Sequence, residues 1–390
     1  MPIVGSGYAV TGIGLATPMG CEAQTVWNHL SQGRPLFGKD CPGAGAGRVD
    51  DHHIERRIPA RHAQKLDRFT MLAMIAGENA LADSHFEIAP ENCYRVGLVV
   101  GNSTGGWTFL EPTMQALYSE GMKAVNSYTA TAWFPTAAQG EISIHHRIGG
   151  YSKTVCADRL SAGFALELAS VAVERGRVEA VVVGGTEAPL SDFVLNAYAG
   201  AGCLSPSGCY APFEETADGR LLAEGSAMLV LELSPAAAAR GAKVHCEILA
   251  IAGGDDLAQA MRSCLHSAGV SPEAVDYIVL DAFGTPQRDD EEYRAIGEVF
   301  ANHAQLRMSA PKSMYGDLVG AGVAMDVIIA CMSIERQAVL PTAGTPARVK
   351  SPPVGRHVVG RPEAAPIRYA LVNARDEAGR SLALLLAKPT

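Results

Sequence analysis

The sequence predicts a layered α/β fold made of two halves with the same layout. Strand-like apolar runs alternate with helix-period segments along most of the chain. A second series of the same kind follows the first after an alanine-rich connector, "SPAAAARGA" (Ser234 to Ala242). With 390 residues, 41 glycines and 48% hydrophobic content, the chain can bury a core large enough for two such units. The expected division is an N-terminal half over residues 1–234, with capping insertions, and a C-terminal half over residues 243–390.

The elements follow in order. "GYAVTGIGL" reads as a strand, with a helix from about Gln24 and another over Arg68–Ala82. "RVGLVVG" and the region around "KTVCA" are strands, Leu160–Glu174 a helix and "EAVVVGG" a strand. The second series runs "GSAMLVLEL", "KVHCEILAIAGG", helix Leu257–Ala268, strand "DYIVLDA", helix Glu291–Phe300, helix Gly322–Arg336, then "RYALVNA" and "SLALLLA". Pro341 to Pro366, rich in proline and glycine, is expected to cross the surface in extended form. The one basic cluster, "RRIPARHAQKLDR" (Arg56 to Arg68), is placed on a helix, where it also fits an ordinary solvated face.

Composition excludes several function classes. A net charge of −9 disfavours non-specific nucleic-acid binding. No run of about 18 uncharged apolar residues is present, and Met1 to Val10 lacks a basic n-region and cleavage site, so a membrane protein is excluded and a cytoplasmic location expected. The nine cysteines are irregularly spaced with no CxxC pair, which argues against zinc and against a disulfide framework. Most fit as small buried hydrophobes, and no metal or cofactor is expected.

"KTVCADRLSAGFALELA" (Lys153 to Ala169) carries the candidate chemistry, because a thiol at a helix N-terminus has a lowered pKa. Register decides where Cys156 falls. Leu160, Phe164, Leu168, Ala169, Ala172 and Val173 recur at helical spacing, and Asp158 is the natural N-cap, which makes Arg159 the first helical residue. Cys156 then ends a strand upstream of the cap, beyond the reach of the helix dipole.

The stretches "AVTGIGLATPMG" with "VWNHLSQG", "KLDRFTMLAMIAGENAL", "RVGLVVGNSTGG", "ISIHHRIGG", "EAVVVGGTEAPLS", "APFEETADGRLLAEGSAMLVLE" and "APKSMYGD" resemble a β-ketoacyl synthase over nearly the whole chain. The resemblance implies a thiolase-like fold, two related α/β halves around a buried site, acting as a dimer. Active members carry a nucleophilic cysteine at a helix N-terminus, two histidines, a lysine and a glycine loop with a phenylalanine near the C-terminus. Counting from the Gly184-Gly185 pair, the nucleophile position falls on Arg159, three after Cys156. The first histidine position holds Phe283 and the second Asp317; Lys312 alone is kept. The glycine loop is replaced by "NARDEAG" (Asn373 to Gly379).

Claisen condensation in such a site needs a thiolate to hold the acyl chain and N–H donors to stabilise the enolate. Phe283 and Asp317 supply neither donor, and arginine is no nucleophile. These departures make the chain similar to the chain length factor, or ketosynthase β-subunit, of type II polyketide synthases. The "DAFGTPQRDDEEYRAIGEVF" and "AWFPTAAQGEISI" segments and the "ADR" tripeptide (Ala157 to Arg159) carry that similarity. That subgroup has glutamine at the tripeptide's third position, so a priming decarboxylation ascribed to it is in doubt here. The implied role is to heterodimerise with an active ketosynthase α-subunit and help form and limit the polyketide tunnel. The further implied partner is an acyl carrier protein bearing phosphopantetheine-bound malonyl or polyketide chains.

Tyr128, Ala132, Trp133 and Thr136 fall near the segment the resemblance assigns to the dimer interface and tunnel floor; each also fits plain helix packing. Arg159 is expected to pair with Asp317 and plug the pocket, with Lys312 in the same network. A condensing acyltransferase using Cys156, a residual malonyl-carrier decarboxylase using Arg159 and Lys312, and an independent homodimeric enzyme stand as alternatives. The Arg159 and Phe283 departures lean towards a highly reducing, polyene-forming system.

Overall fold

The computed structural model describes residues 7–38 and 47–389. The first six residues of the expected N-terminal half, Cys41 and Thr390 lie outside the described residues. The first half supplies β1 (Tyr8–Ala16), α1 (Arg68–Ser84), β2 (Val96–Gly101), α2 (Trp107–Glu120), α3 (Thr129–Trp133), α4 (Ala137–His146), β3 (Ser152–Val155), α5 (Ser161–Glu174), β4 (Ala180–Glu187), α6 (Asp192–Gly200) and β5 (Gly225–Leu233). The second supplies β6 (Cys246–Gly254), α7 (Leu257–Ala268), β7 (Tyr277–Val279), α8 (Pro286–Val299), β8 (Arg307–Ser309), α9 (Gly322–Arg336), β9 (Tyr369–Arg375) and β10 (Ser381–Ala387).

The repetition is visible in the pairing. In the first half β1, β5, β4, β2 and β3 lie side by side; in the second, β6, β10, β9, β7 and β8 do, with the same antiparallel and parallel sense at each step. Short antiparallel pairing of Tyr8–Val10 with Cys246–Ile248 joins them into one 11-stranded sheet, which ends at β3 on one side. Helices α5 and α9 occupy the same place in each repeat, pack on one another and share the largest core cluster with both sets of strands. Helices α1 and α4 cover the outer face of the first half, and α7 and α8 that of the second. The strands of these middle layers are buried on both faces, which is why their sequences are near-continuous apolar runs rather than alternating ones.

Local chemistry explains the fit. Asp67 caps α1 by accepting from Phe69 N (2.9 Å), and Asp256 caps α7 through Gln259 N (2.8 Å). Gly12 and Gly14 of β1 sit under α1, where a Cβ would collide with the carbonyls of Ala80 and Ala76. That close approach is the packing reason for the glycines in "TGIG".

Some expectations are corrected. The basic segment is no continuous helix: Pro59 separates short helices at Asp51–Glu55 and Ala60–Ala63. Helix α8 begins at Pro286, five residues before the expected start, because proline is accommodated at the first helical position after Thr285. The proline-rich segment does not simply cross the surface, since Thr342, Val358 and Ala365 in it are buried. Cys246 of β6 and Cys331 of α9, both fully buried with Cα atoms 5.4 Å apart, form a disulfide where none was expected, because strand and helix face each other across the central core. No helix is long and apolar enough to cross a membrane among the described residues.

Candidate functional site

The site lies where β3, β7, β9 and the turn before α9 end together. The chain leaves β3 through Cys156 and Ala157, turns at Asp158 and enters α5 at Ser161. Asp158, with φ +51°, sits in a turn three residues before the helix; Leu160 holds the N-cap place with no side-chain cap, and Arg159 precedes the helix instead of opening it. Ser161 ties the turn, its Oγ accepting from Ala157 N (2.9 Å) and donating to the Asp158 carbonyl (2.6 Å).

Arg159 is 4% exposed, and its guanidinium is fully bound. Nε donates to Asp317 Oδ2 (3.1 Å), and Nη1 donates to Asp281 Oδ1 (3.0 Å) and to the Arg375 carbonyl (2.8 Å). The expected partnership of Arg159 with Asp317 is therefore present, but shared. Asp317 also meets Arg220 Nε at 2.8 Å, and Asp281 also receives Arg375 Nε at 3.1 Å. Arg220, fully buried, reaches on to Glu377 in the turn between β9 and β10. Lys312 pairs with Asp326, its Nζ 2.7 Å from Oδ2, and the two line the same small space beside this network. Behind this layer Glu292 of α8 accepts the backbone N–H groups of Asp281 and Ala282 (2.8 and 2.9 Å) and holds the Asn373 amide (3.1 Å).

Phe283 is 6% exposed and forms the floor of this network. The guanidiniums of Arg159, Arg220 and Arg288 lie 5.0, 4.5 and 5.0 Å from its ring centroid, positions in which a ring face attracts a cation. An aromatic ring thus gathers three arginine side chains around one point.

The charges set each other's titration. Burial works to raise Asp281, but the Arg159 and Arg375 guanidiniums outweigh it and pull the carboxyl down to about 2. Asp317 is likewise lowered against its burial by Arg159 and Arg220, with Lys312 adding to the effect. Asp326 goes the other way: burial lifts it to about 6 despite Lys312. Arg159, opposed by burial, is held protonated by Asp281 and Asp317. The residual space among these residues is about 10 Å³, room for no more than about one water and none for an acyl chain.

Cys156 is exposed on the far side of the turn, and its thiol is raised by partial burial and by Glu187, the opposite of nucleophile activation. Three other residues beside the network hold left-handed or related backbone at non-glycine positions: Asp158 (φ +51°), Ala282 (φ +49°) and Val319 (φ +45°). The Ala282 carbonyl accepts the Tyr210 hydroxyl at 2.6 Å, and Val319 N donates to Asp317 Oδ1 at 2.9 Å, so each turn is held by its neighbours.

Of the interface candidates, Ala132 is buried, whereas Tyr128, Trp133 and Thr136 are exposed around α3. Sequence reasoning found Arg159, Phe283, Asp317 and Lys312, which the structure brings together, and missed Asp281, Arg220, Arg375 and Glu377. Asp281 and Arg375 stand inside the two segments already singled out as altered, "DAFGTP" and "NARDEAG". Among the described residues no group of three or more His, Cys, Asp or Glu side chains is arranged to hold a metal ion.

Similarity to known proteins runs along most of the chain. The model for the N-terminal domain of β-ketoacyl synthases matches residues 8–237, and that for the C-terminal domain matches residues 236–345. The tetracenomycin polyketide synthase ketoacyl synthase β subunit of Streptomyces glaucescens is 33% identical, over 97% of this chain and 98% of that protein. The ishigamide ketosynthase/chain length factor superposes with a TM-score of 0.85 at 24% identity, covering 99% of this chain and all (100%) of that one. A type II polyketide synthase acyl-carrier protein in complex with its ketosynthase bound to the hexaketide gives 0.83 at 22% identity, covering 98% of this chain and 100% of that one. With its thiolase-like architecture and matches running along both halves, the chain belongs to the β-ketoacyl synthase family.

Proposed function

We propose that the chain is a non-catalytic chain length factor: it heterodimerises with an active ketosynthase of a type II polyketide synthase and helps form and limit the tunnel that receives the growing chain. The observation that carries this is Arg159, a buried guanidinium locked to Asp281 and Asp317 where the family nucleophile falls. A condensing site needs a thiolate and enolate-stabilising donors there, and the arrangement supplies a filled, charge-neutralised plug instead. An active acyltransferase using Cys156 finds no support in an exposed thiol raised by its surroundings.

A partner is supported by the surface. Helices α2, α3 and α4 pack in succession, with α4 against β3, and these helices and the turns joining them expose Tyr118, Met122, Tyr128, Trp133, Phe134 and Ile144. Trp107 and Phe193 of α6 stack beside them at 4.0 Å. Such a density of exposed aromatics suits a subunit interface better than a free surface. Next to it, among the described residues, β3 leaves one edge of the sheet unpaired. The exposed Arg56, Arg57 and Arg61, with Lys65 over the Tyr128 ring (5.1 Å), contribute positive surface to the docking of an acidic acyl carrier protein. The highly reducing, polyene-forming kind of synthase is the product class we assign, on the Arg159 and Phe283 departures.

The test is co-expression with the cognate ketosynthase and carrier protein, followed by mass analysis of carrier-bound chains. Cys156→Ala should leave the products and their amount unchanged. Loss of products with the dimer intact would sink the non-catalytic reading.

A further inference from the structure

We infer that Lys153 on β3 selects the partner subunit: it disfavours pairing of two copies of this chain and favours a partner whose facing edge strand carries a carboxylate. The inference rests on the heterodimer reading above and adds to it the charge of the facing strand.

Strand β3 is four residues long and forms the outermost position of the sheet. The carbonyls of Tyr151 and Val155 accept from Leu98 N and Asn102 N (2.9 and 3.0 Å). By the alternation of a parallel ladder, Ser152 and Thr154 therefore turn their N–H and C=O groups to the open side, ready for another strand. Lys153 stands exposed between them. Its ammonium lies 5.8 Å from the Tyr151 ring, and the Arg177 guanidinium lies 5.5 Å from the same ring. Among the described residues neither cation makes an ion pair, and Glu167 and Glu174, exposed on α5, pair with neither. Lys153 thus stands at this edge with no carboxylate in salt-bridge reach among the described residues, free to meet a charge on a facing strand.

A second copy pairing antiparallel about a two-fold axis through the middle of β3 would set Lys153 against its own counterpart, directly opposite or on the diagonal, about 5–8 Å away. Like charges in those places weaken a ladder, and lysine on an edge strand is a common guard against self-pairing. A homologous strand with aspartate or glutamate at the facing position turns the same contact into attraction, which discriminates between partners by building in repulsion against the wrong one.

The experiment is co-expression of the full chain under two different affinity tags, with and without the cognate ketosynthase, followed by capture through one tag. Wild-type with wild-type and Lys153→Glu with Lys153→Glu should co-purify weakly, and wild-type with Lys153→Glu at least tenfold more. Lys153→Glu should also lower capture of the ketosynthase at least tenfold, and Lys153→Gln should fall between. Thermal melts check that the exposed substitutions leave the fold intact. Equal capture in all tag pairs, or weaker self-capture on removing the charge with Lys153→Gln, overturns the inference. Undiminished ketosynthase capture by Lys153→Glu overturns it while leaving the heterodimer reading in place, whereas failure of the wild-type chain to capture the ketosynthase removes both.

Discussion

A buried arginine is tolerated only where its charge and its donors are both met, and Arg159 meets them with two carboxylates and a carbonyl. Removing it should be costly even so. Arg159→Ala leaves Asp281 with Arg375 and Asp317 with Arg220, so each carboxylate keeps one guanidinium, but a void opens beneath them. A loss of about 3 kcal/mol in chemical denaturation is expected, at the lower end of what breaking a buried pair costs. Arg159→Cys should give a thiol at the family's nucleophile position and no condensation, since Phe283 and Asp317 still offer no N–H donor. Trapping of an acyl chain on that cysteine together with turnover would contradict this. Residue identity at this site was legible in the sequence because Arg159, Phe283 and Asp317 break a spaced pattern. The second carboxylate was not, because Asp281 was given no place in that pattern and only the fold brings it to Arg159.

At the scale of elements, the periodic segments read well and the turns did not. Helices Arg68–Ser84 and Leu257–Ala268 are apolar runs behind aspartate N-caps, and Gly322–Arg336 is an uncapped run buried nearly all round; in each the apolar content marks the element. The entry to α5 was misread because a left-handed Asp158 looks, in sequence, like any acidic N-cap; the tight exit from β3 sets its conformation. Helix α2 left little periodic signal, since only Thr113 of its 14 residues is buried. Two element-level outcomes follow. Gly14→Ala should prevent α1 from seating on β1 and abolish soluble expression, because the new methyl would occupy the place of the Ala76 carbonyl. On α3, Trp133→Ala should lengthen the carrier-bound product seen by mass analysis, if the exposed ring closes a tunnel against a partner. An unchanged product spectrum removes Trp133 from the tunnel floor.

The whole molecule carries an opposed set of buried carboxyls. Asp67 and Asp326 are lifted to about 6, and Glu187 and Asp289 to about 7, in each case chiefly by burial. Each raised group binds its proton more tightly folded than unfolded, so stability falls as pH rises from the ordinary carboxylate range to about 7. Asp281, lowered to about 2, contributes in the opposite sense: its stabilisation is complete above pH 4 and is lost as pH falls towards 2. Melting temperature followed against pH should therefore peak at about 4 and decline towards 7; a maximum above 7 would refute the balance. The duplicated layout was visible in the order of strand and helix signals, yet nothing in a linear order says that α5 and α9 share one core, which depends on how the halves fold against each other. The left-handed bends at Asp158, Ala282 and Val319 have a last implication. They hold non-glycine residues in a conformation that glycine adopts more freely, so glycine should be tolerated at each of them better than at the extended positions beside them.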